Sequence, residues 1–237
     1  MKKHLILTLI LCSIFVGLPN IFTVNAIENI SFNPVADAYV DSNNPSSNYG
    51  DAPSLFADFK DLSANDGRRT NVYLLFNLTS LTNDGFEMNS ATLELQSAYS
   101  FYAPITQVGV HSCSNTQWSE TEITWSNAPT FSSEPSDISA INHNEQIGYP
   151  KWHSWDVTKE VENSQGGYIT LVLTVESEGD NFATDFDSKE NSNPPKLLIN
   201  YEAIPEFPLW APLVAGFFVI TILSIFYKRQ FNYRGRK

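Results

Sequence analysis

Ala91-Thr-Leu-Glu-Leu-Gln-Ser97 alternates apolar and polar residues without a break. Successive side chains of a strand point to opposite faces, so Ala91, Leu93 and Leu95 share one side and Thr92, Glu94 and Gln96 the other. A helix would scatter the same residues around its circumference. The segment is a half-buried strand, and its apolar side needs a second layer of structure to cover it.

The rest of the chain supplies that layer in the same currency. Ala36, Ala38 and Val40 alternate with Asp37 and Tyr39, and the long polar stretch Asp41 to Asp51 has strong turn chemistry. Leu55 to Phe59 reads as another strand. Thr70 to Leu78 is apolar almost throughout, which predicts a central strand buried on both sides. Val108 and Val110 mark a further strand, and Lys151 to Val157 another. Asp156 is placed to cap a short helix in which Val157 and Val161 lie one turn apart. In Tyr168 to Glu176, Ile169, Leu171, Leu173 and Val175 share a face. Phe182 with Phe186 and Lys196 to Tyr201 end the series, while residues 131–149 show little periodicity and read as a loop. About nine strands with frequent turns and almost no helix mean an all-β fold, an antiparallel β-sandwich of the jelly-roll or immunoglobulin-like kind.

Such a fold must be held by its core alone. Of two cysteines, Cys12 lies in the apolar leader, leaving Cys113 without an intramolecular partner. It reads as a small buried hydrophobe.

One segment resists a single period. Trp118-Ser-Glu-Thr-Glu-Ile-Thr-Trp125-Ser-Asn-Ala-Pro129 carries two indoles of opposite parity, which cannot share one face of a straight strand. Ser119 and Glu122 suit a single capped helical turn leading into a short strand at Ile123 to Trp125. The expectation is a clasp that closes the sandwich.

The ends carry addresses. Lys2-Lys3, the apolar run Leu5 to Val16 and Val24-Asn25-Ala26 have the order of a secretory signal, residues 1–26, with cleavage after Ala26. Leu209 to Tyr227 has no charge and is long enough to cross a bilayer. Lys228, Arg229, Arg234, Arg236 and Lys237 follow, which places that end in the cytoplasm and the β domain, residues 27–203, outside. Residues 204–237 form the anchor segment. Pro205-Glu206-Phe207 ahead of the helix and the basic cluster resembles the archaeal PEF-CTERM sorting signal. That resemblance implies a sorting enzyme that removes the helix.

Net charge is −12, but residues 27–204 hold 25 acidic residues against 7 basic ones, a balance of −18. A field of that sign disfavours nucleic acid as a partner. Catalytic signatures are missing: no Gly-x-Ser-x-Gly, no His-Glu-x-x-His and no phosphate loop occurs. Asp185 and Asp187 read as solubilising charge. No cofactor is required. A structural calcium is the one metal expectation, with Asp41, Asn43 and Asp51 as oxygen donors.

Sugar binding needs flat aromatic faces beside planar polar groups. Trp118, Trp125, Trp152, Trp155, Tyr99 and Tyr102 are the aromatic candidates, and Arg68-Arg69 is an adjacent cationic pair. Trp152 and Trp155 have opposite parity, so at most one of them faces solvent from a given side of the sheet. With Trp118 and Trp125 assigned to the clasp, the binding candidates are Arg68, Arg69, Tyr99, Tyr102 and Trp152. Asn29 and Asn77 head glycosylation sequons, as suits an exported chain.

Several pieces in order resemble one family. They are Ala36-Asp37-Ala38-Tyr39-Val40 with Asn48-Tyr49-Gly50, Arg69 with Tyr73-Leu74-Leu75-Phe76, and Ser90 to Leu95. Trp118-x-Glu120 with Ile123 to Pro129, Trp155-Asp156-Val157-Thr158, and Ser188-Lys189-Glu190 with Pro194-Pro195-Lys196-Leu197 complete the set. Together these resemble the DNRLRE-type domain grouped with carbohydrate-binding module family 96, over about residues 31–201. The resemblance implies a jelly-roll sandwich on secreted or surface proteins, with polysaccharide binding in some members. Lys189 departs from it, since the family usually has Arg there, and the two are not equivalent at a bidentate contact.

The chain therefore reads as a non-catalytic polysaccharide-binding module displayed at the cell surface from a C-terminal membrane helix. The alternative is a surface or envelope structural protein using the same sandwich as a spacer or protein contact.

Overall fold

The computed structural model describes residues 27–60, 67–81, 86–101, 105–142, 150–164, 166–176, 182–203, 214 and 216–226. Residues 26–203 form one compact unit. Its strands are β1 (Ile27–Phe32), β2 (Ala36–Asp41), β3 (Ser54–Lys60), β4 (Arg68–Asn77), β5 (Phe86–Phe101), β6 (Ile105–Cys113), β7 (Asp137–Asn142), β8 (Lys151–Asp156), β9 (Tyr168–Val175), β10 (Phe182–Asp187) and β11 (Lys196–Ala203). A single short helix, α1 (Thr158–Ser164), lies between β8 and β9. Asp156 Oδ1 accepts from both the amide and the hydroxyl of Thr158, which caps this helix as the sequence predicts. Gly166, at φ 73°, ends it in the left-handed region that a side chain would oppose.

All strand pairs are antiparallel. In the first sheet the long β5 is the axis: β11 and then β10 run along one edge, and β8 pairs with the other. β1 adds to β11, and β3 adds to β10. The second sheet has the order β2-β4-β9-β6-β7. The pairs Phe59–Arg69 and Lys60–Arg68 join the two sheets at one corner.

The main core lies between them. Leu55, Ala91, Leu93, Leu95, Trp155, Phe186, Leu197 and Ile199 come from the first sheet. Tyr39, Val72, Leu74, Phe76, Val108, Val110, Ile169, Leu171 and Leu173 come from the second. The alternation at 91–97 thus has the sense expected of it, and the odd residues of Tyr168 to Glu176 face inward together.

A second, smaller cluster sits on the opposite side of the second sheet. Ala38, Val40, Tyr73, Val172, Cys113 and Ile123 are buried there, with Trp118, Trp125, Ala128 and Phe131 packed against them. This explains why β4 is buried on both sides. It also corrects the reading of the clasp, which covers the outer face of one sheet and does not seal the gap between two. Ser119 to Ile123 forms a single helical turn, with the Ser119 carbonyl accepting from the amides of Glu122 and Ile123. Ile123 to Trp125 is not a strand; the Asn127 side chain binds Thr124 N and the Glu122 carbonyl, closing a second turn instead. Cys113 is buried beneath this cover, as its composition suggested.

Two elements escape the periodicity. β1 pairs along β11, and β7 falls inside the stretch read as a loop, with alternate residues exposed and Ile141 buried.

Residues 216–226 are helical and carry exposed Phe217, Val219, Ile220, Leu223 and Phe226. Among the described residues, no helix is long and apolar enough to cross a membrane. The leader at 1–26, Tyr102 and Pro205-Glu206-Phe207 lie outside the described residues.

Candidate functional site

The two outer faces of the sandwich differ. The second sheet's is covered by the Trp118–Phe131 cluster. On the first sheet, the residues alternating with the core are Thr92, Glu94 and Gln96 of β5, Trp152, Ser154 and Asp156 of β8, and Lys196, Leu198 and Asn200 of β11. Register places Lys196, Glu94 and Ser154 in one row across three strands, and Gln96 opposite Trp152.

Trp152 is the large aromatic of this face, 39% exposed, whereas Trp155 three positions on is 0% exposed in the core. The parity expectation is met. Lys196 Nζ lies 4.5 Å from the centre of the Trp152 ring. That cation–π contact holds the indole and the ammonium against each other. Around it stand an amide, a carboxylate and hydroxyls, the groups that sugar hydroxyls need.

Beyond Asp156, at the far end of β8, a cleft of about 740 Å³ is lined by Asn89, Ser90, Glu134, Asp156, Glu160 and Glu162 among others, with Lys159. Its walls are braced by Ser136 Oγ donating to Glu160 Oε1 and by the Asp156 amide donating to Asp137 Oδ2. Four carboxylates against one ammonium make it hostile to anionic sugars.

The other predicted residues fall elsewhere. Arg68 is held by Asp41 at 3.1 Å and by Asp58 at 3.1 Å. Asp41 also accepts from the amide of Asn43 and the side chain of Asn44. Burial works to raise the Asp41 pKa, but the bonds from Asn44, Asn43 and Arg68 outweigh it and hold the group below its usual range. Both Asp41 oxygens are thus engaged by protein donors; Asn43 and Asp51 are exposed nearby on the turn. Asp58 is buried, which pushes its carboxyl up to about 6 against the pull of Arg68. The Arg69 guanidinium lies over the Phe59 ring at 4.8 Å. Tyr99 sits on β5 opposite Asp185. Asn29 is exposed on β1, while Asn77 ends β4 with its amide on Tyr168 and its carbonyl on Thr79. Asp187 is buried, bonded to Asn191 and raised by burial, so it is not the solubilising charge it resembles in sequence.

A third cluster was not legible as such in sequence. Asp37 on β2, Glu120 on the helical turn, and Lys189 and Glu190 after β10 meet at one point. The Asp37 amide donates to Glu120 Oε1 at 2.7 Å, and the Lys189 amide donates to Asp37 Oδ2 at 2.7 Å. Lys189 Nζ bridges Glu120 at 3.1 Å and Glu190 at 2.5 Å. Those two carboxylates, led by the bond to Glu190, raise the lysine's pKa. Asn48 Nδ2 donates to the carbonyls of Glu120 and Ile123. At Gly50 a Cβ would stand 2.2 Å from the Glu120 carbonyl oxygen, so only glycine fits. Asp37 is wholly buried, and desolvation, helped by Glu190 and Glu120 and opposed by the Lys189 amide, pushes its carboxyl up to about 7. Asp37, Asn48, Gly50, Glu120, Lys189 and Glu190 come from three of the separated stretches that carry the family resemblance, and here they form one knot.

No curated protein matches the chain in a sequence comparison. The family model named carbohydrate-binding module family 96 matches residues 28–201, all but the edges of the compact unit. With three quarters of the chain matched in this way, the protein belongs to carbohydrate-binding module family 96.

Proposed function

We propose that the protein is a non-catalytic polysaccharide-binding module, exported by its leader and displayed at the cell surface from its C-terminal apolar helix. The sandwich is of the jelly-roll type in this reading. The ligand lies along the outer face of the first sheet, with a sugar ring stacked on Trp152 and its hydroxyls met by Gln96, Glu94 and Ser154. The observation that carries the reading is the exposed Trp152 on a polar sheet face whose counterpart on the other sheet is already covered.

Charge narrows the ligand. Arg68, Arg69, Lys189 and Lys196 each face a carboxylate or ring of the domain itself. Together with the balance of −18 over residues 27–204, this favours a neutral polysaccharide over an acidic one. The PEF-type segment is assigned to a sorting enzyme, and Asn29 and Asn77 to glycosylation. A spacer role would leave Trp152 without a task.

The deciding experiment is a screen of the protein against neutral and acidic glycans, repeated with Trp152→Ala. Binding to a neutral polymer that disappears in the variant supports the proposal. Failure to bind any glycan, or binding indifferent to Trp152, rejects it.

A further inference from the structure

The knot of Asp37, Glu120, Lys189 and Glu190 contains an unmade bond. Asp37 is 0% exposed and its Oδ2 takes the Lys189 amide, yet its Oδ1 has no hydrogen-bond partner among the described residues. Buried acceptors are nearly always satisfied, so an exception calls for an explanation such as an ion or water not supplied by the protein. Of the six such atoms among the described residues, Asp37 Oδ1 is the one that belongs to a cluster of carboxylates. Ligand oxygens of Asp37, Glu120 and Glu190 all lie within 4.8 Å of one another. Three oxygens no more than 4.8 Å apart surround a point that lies within about 2.8 Å of each, close to the ~2.3–2.6 Å range of calcium–oxygen contacts.

We propose that Asp37, Glu120 and Glu190 form a binding site for a divalent cation of the calcium class. Lys189 is the counter-ion that the metal displaces from the two glutamates.

The donor set chooses the metal. All three ligands are carboxylates, with no histidine or cysteine in the group, which suits a hard cation and not zinc or copper. The spacing is wide for magnesium, which needs oxygens at about 2.1 Å in near-ideal octahedral order. Charge agrees: three carboxylates face one ammonium, a surplus of negative charge in a place where Asp37 is cut off from water. Lys189 is held at its tip alone and its side chain is 26% exposed, so the ammonium can move into solvent while its backbone amide stays on Asp37. The ion would join β2, the 119–123 turn and the segment after β10, three parts of the chain far apart in sequence. It is distinct from the expectation placed on Asp41, Asn43 and Asp51, where both oxygens of Asp41 already accept from protein donors.

The test uses the full chain freed of metal with a chelator and titrated with calcium chloride, at ionic strength balanced by sodium chloride. Calorimetry and the thermal midpoint are read together. The expected result is saturable heat and a rise of several degrees in the midpoint, absent in Asp37→Asn and in Glu190→Gln. Lys189→Gln, which removes the competing ammonium, tightens calcium binding several-fold. Should Asp37→Asn not fold, the Glu190 and Lys189 variants still decide. Absence of heat and of a midpoint shift in the parent chain overturns the proposal. So does a calcium response unchanged in the Asp37 and Glu190 variants, or affinity unaltered or weakened by Lys189→Gln.

Discussion

Trp155 Nε1 donates a 2.7 Å hydrogen bond to the carbonyl oxygen of Val108, tying a side chain of the first sheet to the backbone of the second. The indole crosses the core to do so and lies edge-on to Phe186 at 5.9 Å. Replacing it with Phe keeps an aromatic ring but removes the donor and part of the volume. Trp155→Phe is expected to cost about 2–3 kcal/mol, from the stranded carbonyl and the partial cavity together. Denaturant unfolding measures this directly, and a loss under 1 kcal/mol would show that the cross-sheet bond is dispensable.

Trp152 lies on the opposite side of the same strand and has the opposite expected behaviour. Trp152→Ala should weaken glycan binding at least tenfold, as loss of a central aromatic anchor does, while stability moves by about 0.5 kcal/mol or less. Titration calorimetry alongside thermal unfolding separates the two effects. A variant that binds normally, or one that unfolds, contradicts the assignment.

Asp37 makes stability depend on pH with a definite sign. Its folded pKa, about 7, lies above the ordinary 3.8 of the unfolded chain. The proton it holds therefore stabilises the fold fully below pH 3.8, and that contribution is lost as pH rises through about 7. Linkage puts the change at roughly 4 kcal/mol in order of magnitude between pH 4 and pH 7. Asp58, raised to about 6, adds in the same direction. In chelator-containing buffer, Asp37→Asn should flatten this part of the stability profile measured by urea unfolding. An unchanged slope would mean that Asp37 is ionised at little cost.

Gly50 offers a purely steric test. A methyl group there meets the Glu120 carbonyl oxygen at 2.2 Å, and that oxygen is fixed by Asn48. Gly50→Ala should cost about 1–3 kcal/mol, a fall of roughly 2–10 °C in thermal midpoint for a domain of this size. A midpoint within 1 °C of the parent would show that the turn carrying Glu120 can retreat.

How much of this was readable in sequence depends on whether a residue's environment came from its neighbours or from afar. The strand at 91–97 and the shared face of Ile169, Leu171, Leu173 and Val175 follow from period-two alternation, which is local. Residues of β2 mislead for the opposite reason. Ala36, Ala38 and Val40 look like its buried face, yet Tyr39 points into the main core, and Ala38 and Val40 lie on the outer side under the Trp118–Phe131 cover. A lid contributed some 80 residues later makes both faces interior, and no local pattern can announce it. Asp37 lies on the same side of β2 as Tyr39 and owes its environment to segments equally remote, for its partners at 120, 189 and 190 are visible in sequence only as short motifs of unexplained spacing. The opposite parity of Trp152 and Trp155 is local again and put at most one of them on a given face; which ring meets solvent was decided by the second sheet packed against β8.

The pairing of β1 with β11 has a mechanical consequence. Ile27 stands opposite Glu202 and Phe32 opposite Leu197, so the polypeptide enters and leaves the unit at the same end of one antiparallel ladder. Tension between those two ends acts across the ladder and breaks its bonds one pair at a time, as a zip opens. Under the proposed function, tension between the C-terminal end and a polymer held on β8 would be transmitted through β11 and β5 instead, where Leu197 and Leu198 pair with Leu93 and Thr92, and these in turn with Trp155 and Asp156. The strand that leads away from the domain and the strand that carries Trp152 are thus separated by a single strand, β5, and a load between them bypasses the weakest seam.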